Sequence, residues 1–229
     1  MSDSKGVFIS CEGGEGVGKS SFLDKLVLAL KQKGINCVGT REPGGSPVAE
    51  AIRPIFNHPP KDDPLTPEAE FLLISAARIQ HVVNKIQPNL QSGRWVICDR
   101  FADSSLVYQG TLGGISRDFL NTVIHFSTYD LTPHTTFLLD CPVEVSLERV
   151  RKRLESDPRD TRYDRADRAY HVKIREAYLQ LAQEFQNRYV ILDATAPTEI
   201  LVEKAMKKLE ERSAFIKQKH LNHITHINT

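Results

Sequence analysis

The chain has 229 residues, 40% of them hydrophobic and 26% charged, which suffices for a sizeable buried core. Gly and Pro number only 13 and 12, excluding collagen-like and low-complexity architectures. Thirty basic against 29 acidic residues leave a net charge of +1, so there is no global basic field for a nucleic acid backbone, and any bound anion must be met by local groups. The opening MSDSKG lacks a signal-peptide pattern, and no apolar run has the length of a bilayer. The expectation is a soluble, cytoplasmic protein with no nucleic acid or membrane partner. Cys11, Cys37, Cys98 and Cys141 form no CxxC pair, and three of them lie in or beside short apolar runs where they read as small buried hydrophobes, which argues against a zinc site or a disulfide framework.

In chain order, short apolar runs at Val7–Cys11, Cys37–Gly39, Trp95–Cys98, Thr136–Leu139 and Tyr189–Leu192 predict strands. Amphipathic stretches separate them, which predicts βαβ crossovers and an α/β fold with a parallel sheet covered by helices on both faces. Phe22, Leu23, Leu26, Val27 and Leu30 repeat at helical spacing before Gly34 stops the helix. Thr66 caps a longer helix running to Leu90, with Pro67 at its first position and apolar residues at Leu72, Leu73, Ala76, Ile79, Val83 and Ile86. Arg149–Arg168 holds seven Arg and one Lys against five acids and reads as a mobile basic flap. No repeat or linker divides the chain, so residues 1–213 read as one domain and 214–229 as a polar tail outside the core. His220, His223 and His226 in that tail read as solvated, not as metal ligands.

The strongest chemical signal is Gly13-Gly14-Glu15-Gly16-Val17-Gly18-Lys19-Ser20, a complete GxxxxGK[ST] between a predicted strand and a predicted helix, with Ser21 following. Its backbone N–H groups turn toward one point, the helix N-terminus adds positive charge, Lys19 reaches the β and γ phosphates, and Ser20 can ligate magnesium. This predicts a site for a nucleoside triphosphate. The only Asn-Lys pair, Asn84-Lys85, sits inside the long helix, so a guanine-reading NKxD signature is missing. Further phosphate-binding candidates follow strand ends: Arg41 in REPGG, Arg53 on the next helix, and Asp99-Arg100. Asp99 is a magnesium candidate through water, or the partner of a local arginine.

In this order and spacing, GGEGVGKS, REPGG, AAR at Ala76–Arg78, DRF at Asp99–Phe101 and YQG at Tyr108–Gly110 closely resemble the thymidylate kinase family, over about residues 5 to 212. The resemblance implies a P-loop nucleoside monophosphate kinase fold of three layers, with a central five-stranded parallel sheet, a lid near residues 154–167 and a homodimer. It implies phosphoryl transfer from MgATP to dTMP, giving dTDP and ADP. Its dTMP side falls on Glu15, Arg41, Pro43, Arg53, Arg78, Arg100, Ser104, Ser105, Tyr108 and Gln109. Arg78 is similar to the arginine that donates to a thymine carbonyl, Ser105 stands near the ring N3–H, Tyr108 packs against deoxyribose, and Glu15 reaches toward the 3′-OH.

Two departures from the family pattern matter. The family's base-stacking Phe is replaced by Ile74, leaving Ile74 itself, Phe71 or Phe101 to cover thymine. The flap is also longer than the family's before Thr161-Arg162-Tyr163-Asp164. Because the acceptor phosphate is already ionised, the reaction needs charge neutralisation and in-line positioning more than a base. Lys19 is assigned to the triphosphate, Arg100 to the acceptor phosphate, and Arg162 or Arg165 to the transferring group, since Gly16 stands where some family members carry arginine. The alternatives are another P-loop deoxynucleoside or monophosphate kinase, and a non-catalytic ATP-dependent interaction protein.

Overall fold

The computed structural model describes residues 6–156 and 163–225, with side chains through Arg212. All five predicted strands form, each a residue or two displaced or extended: β1 (Phe8–Glu12), β2 (Cys37–Arg41), β3 (Trp95–Asp99), β4 (Thr135–Asp140) and β5 (Tyr189–Asp193). They make one parallel sheet in the order β2-β3-β1-β4-β5. The order explains the burial. Central β1 is buried at every position, whereas edge strand β5 exposes Ile191 and Asp193.

Helix α1 (Lys19–Gln32) buries Phe22, Leu23, Leu26 and Leu30 at the predicted spacing, against Ala205 and Leu209 of α9 (Thr198–Thr225) in the first core. It ends where Gly34 adopts φ +77° and Ile35 N donates back to Leu30 O at 3.0 Å. Helices α2 (Pro47–Asn57) and α3 (Pro67–His81) follow β2. Thr66 caps α3, accepting from Ala69 N at 3.3 Å, and a π-helical turn at Val82–Ile86 carries the helix into α4 (Gln87–Gln91).

The buried face of α3 differs from the apolar stripe read in the sequence. Phe71, Ile74, Ser75, Ala77, Arg78 and His81 point inward, while Leu72, Ala76 and Val83 are exposed. Glu70 and Arg78, charged residues at buried positions, invert the expected amphipathic pattern: Arg78 lines a cavity, and Glu70 accepts from Gln109 and Tyr163, which line it.

Beyond β3 come α5 (Ala102–Ser105), a π-helical stretch at Leu106–Leu112, and α6 (Arg117–Thr128); α7 (Val143–Ser156) and α8 (Arg168–Glu184) follow β4. The first part of the predicted basic flap is thus helical, through Ser156. Arg149, Arg151 and Arg153 lie on α7, Arg168 opens α8, and Tyr163–Arg165 form a turn; residues 157–162, Arg162 among them, lie outside the described residues. The backbone of α9 continues through the tail to Thr225, while the side chains of His220 and His223, and all of His226, lie outside the description. The four cysteines are all buried as free thiols. Among the described residues no helix is long and apolar enough to cross a membrane.

Candidate active site

The glycine-rich loop runs from the end of β1 into α1, with Gly13, Gly16 and Gly18 at positive φ. Lys19 opens the helix and its Nζ donates to Gly13 O at 3.0 Å and Gly14 O at 2.6 Å. Pairing of β1 with β3 sets Cys11 beside Asp99, which brings the Asp99 carboxylate to the helix start, where Ser20 Oγ donates to its Oδ2 at 3.0 Å. Asp99 Oδ1 is buried without a hydrogen-bond partner. An unmatched carboxylate oxygen beside a hydroxyl is an oxygen donor set suited to a hard divalent cation that keeps most of its waters.

From this loop a cavity of about 480 Å³ extends along the carboxyl ends of β1, β2 and β3. Ser20, Ser21, Asp99 and the loop residues Glu15, Gly16 and Gly18 line one end; Arg41, Pro43, Arg53, Ile74, Arg78, Ser104, Ser105, Tyr108 and Gln109 line the other. Phe71 is not on the wall. It is fully buried in a separate core, with Phe119 edge-on at 6.2 Å, and cannot cover a base. Phe101 does line the cavity, but it is pinned edge-on to Phe8 at 4.9 Å with the Arg78 guanidinium 5.6 Å from its centroid. The apolar wall comes instead from Ile74 and from Phe56 of α2, a ring that the sequence reading missed.

Arg78 is 1% exposed, yet it belongs to the cavity wall. Its Nε donates to Glu42 Oε2 at 2.8 Å and its Nη2 to Ser105 Oγ at 3.1 Å, while Nη1 is buried with no partner. Because an unmet charged donor is costly in a protein interior, this nitrogen marks a place for a ligand acceptor.

Arg100 sits at φ +66° directly after β3, and its conformation is held by side-chain bonds: Nη1 to Tyr178 Oη at 2.9 Å, Nη2 to Glu15 Oε1 at 2.9 Å. Tyr108 also donates to Glu15 Oε1, at 2.7 Å. Burial alone would ease the proton off Arg100, but Tyr108, Tyr178, Glu15 and Asp99 outweigh it and hold the pKa well above its ordinary value. Arg53 donates to Pro43 O, and Arg41 pairs with Glu50 at 2.9 Å, half exposed at the cavity edge.

Burial, then the nearby Arg100 charge, pushes Lys19 down to about 8. Burial and the Asp103 carboxylate push Glu12 up to about 7. Glu12, beneath the loop, accepts from Phe101 N at 2.7 Å, Ser104 Oγ at 2.7 Å and Tyr178 Oη at 3.0 Å, and so supports the Arg100 cluster from below.

At the α7–α8 side, Arg149, Arg153, Tyr163 and Asp164 line the cavity, and Arg153 Nη2 donates to Asp164 Oδ1 at 2.6 Å. Arg165 is exposed and does not line it. Gly13, Gly14 and Val17 face the rear of the loop, Val17 packing into the first core. Asn84 bonds within its own helix to Gln80, as expected of a residue outside any base pocket.

A family model described as thymidylate kinase matches residues 11–205. The chain belongs to the thymidylate kinase family. Relatives carrying the name thymidylate kinase include one from Methylococcus capsulatus, 43% identical over 84% of this chain and 89% of its own. Another from Leuconostoc mesenteroides is 45% identical over 84% and 90%, and a third from Bradyrhizobium diazoefficiens 41% identical over 92% of each. The five-stranded parallel sheet with its flanking helices is the architecture of a thymidylate kinase of the P-loop class.

Several residues that build this thymidylate kinase cavity carried no motif signal of their own. Glu12 is a lone carboxylate ending an apolar strand, and within REPGG the candidate site residues were Arg41 and Pro43, not Glu42. His81 stands three residues after Arg78 in the same helix. A charged residue inside an apolar strand or on a buried helix face is the one feature that could have found them.

Proposed function

We propose that this chain is a dTMP kinase, transferring the γ-phosphoryl group of ATP to dTMP to give dTDP and ADP on the route to dTTP. The observation that carries this reading is the continuity of one cavity from the Lys19 loop to the unpartnered Nη1 of Arg78, so that a triphosphate and a pyrimidine ring fit its two ends.

Lys19 and the loop amides hold the triphosphate, and the shift of the ammonium from the Gly14 carbonyl to phosphate is a short one. Arg100, with Arg41 and Arg53, takes the acceptor phosphate, and Arg78 donates to a base carbonyl. Glu15 and Tyr108, joined by their hydrogen bond, bound the sugar. Magnesium, held by Ser20 and through water by Asp99, neutralises charge on the triphosphate when bound. Arginines of the α7–α8 segment meet the transferring group, the segment near residues 154–167 acting as a lid that excludes water.

Residues 1–213 form one kinase domain, with 214–229 outside its core. The enzyme works in the cytoplasm as a homodimer. Support for the dimer is the exposed apolar set Leu72, Val83, Phe119 and Phe126, since α3 and α6 pack side by side. Light scattering on the purified chain should give twice the mass of 25.8 kDa.

An ADP-release assay with dTMP, dUMP, dCMP, dGMP and UMP tests the activity. The expected result is a kcat/KM for dTMP above every other acceptor. ADP release equal for all of them, or with none, would overturn it.

A further inference from the structure

A buried line of hydrogen bonds crosses from β2 to the cavity. Thr40 Oγ1 lies 2.7 Å from His81 Nε2, and His81 Nδ1 lies 3.1 Å from Glu42 Oε1. Glu42 Oε2 accepts from Arg78 Nε at 2.8 Å, and Arg78 Nη2 donates to Ser105 Oγ at 3.1 Å. All five residues are buried. Burial raises Glu42, but Arg78 and His81 outweigh it and keep the carboxylate ionised. An ionised carboxylate only accepts, so His81 Nδ1 carries the proton. In the neutral imidazole Nε2 then accepts from the Thr40 hydroxyl.

The consequence reaches Arg78. A guanidinium and a free carboxylate favour a two-bond fork. The His81 contact turns Oε1 toward the ring, and the pair is single-bonded, through Nε to Oε2. Freed of His81, the fork would draw Nη2 off Ser105 and turn Nη1 away from the cavity.

The REPGG backbone rests on the same bond. Gly45 has φ +87°, and a Cβ there would lie 2.3 Å from His81 Nε2 and 2.7 Å from Thr40 Oγ1. No side chain fits between the loop and this pair.

We propose that His81 is a positioning residue for recognition of the acceptor's base: through Nδ1 it fixes Glu42 so that Arg78 presents Nη1 to a carbonyl of the pyrimidine. This rests on the reading of Arg78 as the base contact. The test pairs His81→Asn, whose amide nitrogen falls near Nδ1 and keeps the donor to Glu42, with His81→Gln, whose amide falls near Nε2 and loses it. Both are also made in an Arg78→Ala background, with kinetics in ATP and dTMP and a melting curve for each.

His81→Gln should raise the dTMP KM about tenfold or more, with His81→Asn within about threefold of wild type. KM for ATP and kcat at saturating dTMP should stay put in both, and His81→Gln should add nothing once Arg78 is Ala. Equal KM values for the Asn and Gln variants, or an effect that adds in full to Arg78→Ala, would overturn the proposal. Should His81→Gln fail to fold, His81→Leu removes the donor to Glu42 without adding a polar group, and an unchanged dTMP KM there overturns it equally. Arg78→Ala leaving dTMP KM unchanged would instead refute the base contact itself and take this proposal with it.

Discussion

Lys19 Nζ donates to the Gly14 carbonyl at 2.6 Å, folding the lysine back on its own loop. The side chain is therefore buried, not the exposed lysine that its place in a phosphate loop would suggest. Burial and Arg100 hold its pKa down to about 8. A triphosphate supplies opposite charge and raises it again. At pH 8, where the ATP phosphates are fully ionised, the free lysine is about half protonated and the bound one fully so, giving uptake of roughly half a proton on ATP binding. Calorimetry in buffers of different ionisation heat reads this directly. Proton release, or an uptake that Lys19→Ala leaves intact, would contradict it.

The α7–α8 arginines are separable by position. Arg153 lines the cavity and Arg165 does not, so Arg153→Ala should lower kcat by about a hundredfold or more at nearly constant dTMP KM, while Arg165→Ala should do much less. Arg162→Ala is expected to resemble Arg153→Ala. An arginine placed at position 16 should rescue neither. Gly16 has φ +73°, and a Cβ there would meet the Ser146 carbonyl oxygen at 2.2 Å. Restored turnover in Gly16→Arg/Arg153→Ala would refute this.

Phe56 and Ile74 divide the apolar wall. An aromatic ring against the base contributes about 0.5–1.5 kcal/mol beyond its area, so Phe56→Leu should raise dTMP KM by roughly two- to twelvefold and leave ATP unaffected. Ile74→Phe alone should crowd the site, and combined with Phe56→Leu it should recover affinity. Additive losses in the double variant would show that the two do not share one space.

Glu12 makes stability pH-dependent in an unusual direction. Its folded pKa lies near 7 against 4.5 for an ordinary glutamate, so between those values the folded state binds more protons and stability falls as pH rises. Glu42 acts oppositely and in a lower window, because its depressed pKa adds stability that disappears only as pH drops below the ordinary range. Glu12→Gln should flatten the decline in Tm between about pH 5 and 7.5. A wild-type Tm that rises across that interval while the variant's stays flat would contradict the assignment.

The sheet was legible because five short apolar runs separated by amphipathic stretches leave little choice but parallel strands under helices. The triphosphate end was legible as well, since its geometry comes from local backbone in one continuous motif. The base end was legible in part, through Arg78 and Ser105, but its apolar wall was not. Ile74 and Phe56 come from different helices, and which ring faces the cavity depends on packing: Phe71 shares a helix with Ile74 yet turns into the core. The α3 stripe misled for a related reason: Glu70, Arg78 and His81 are buried because each has polar partners inside the protein, which leaves Leu72 outside. The basic run at Arg149–Arg168 looked irregular from Pro158 and its mixed charges, although Val150 on the core side anchors its first part as helix.

The most direct test of the central claim follows the phosphoryl group itself. ATP labelled at the γ position, incubated with the purified chain, magnesium and dTMP, should give label in dTDP at a rate matching ADP formation, abolished by Lys19→Ala and lowered at subsaturating dTMP by Arg78→Ala. Label recovered only as inorganic phosphate, or transferred to another nucleoside monophosphate in preference to dTMP, would contradict it.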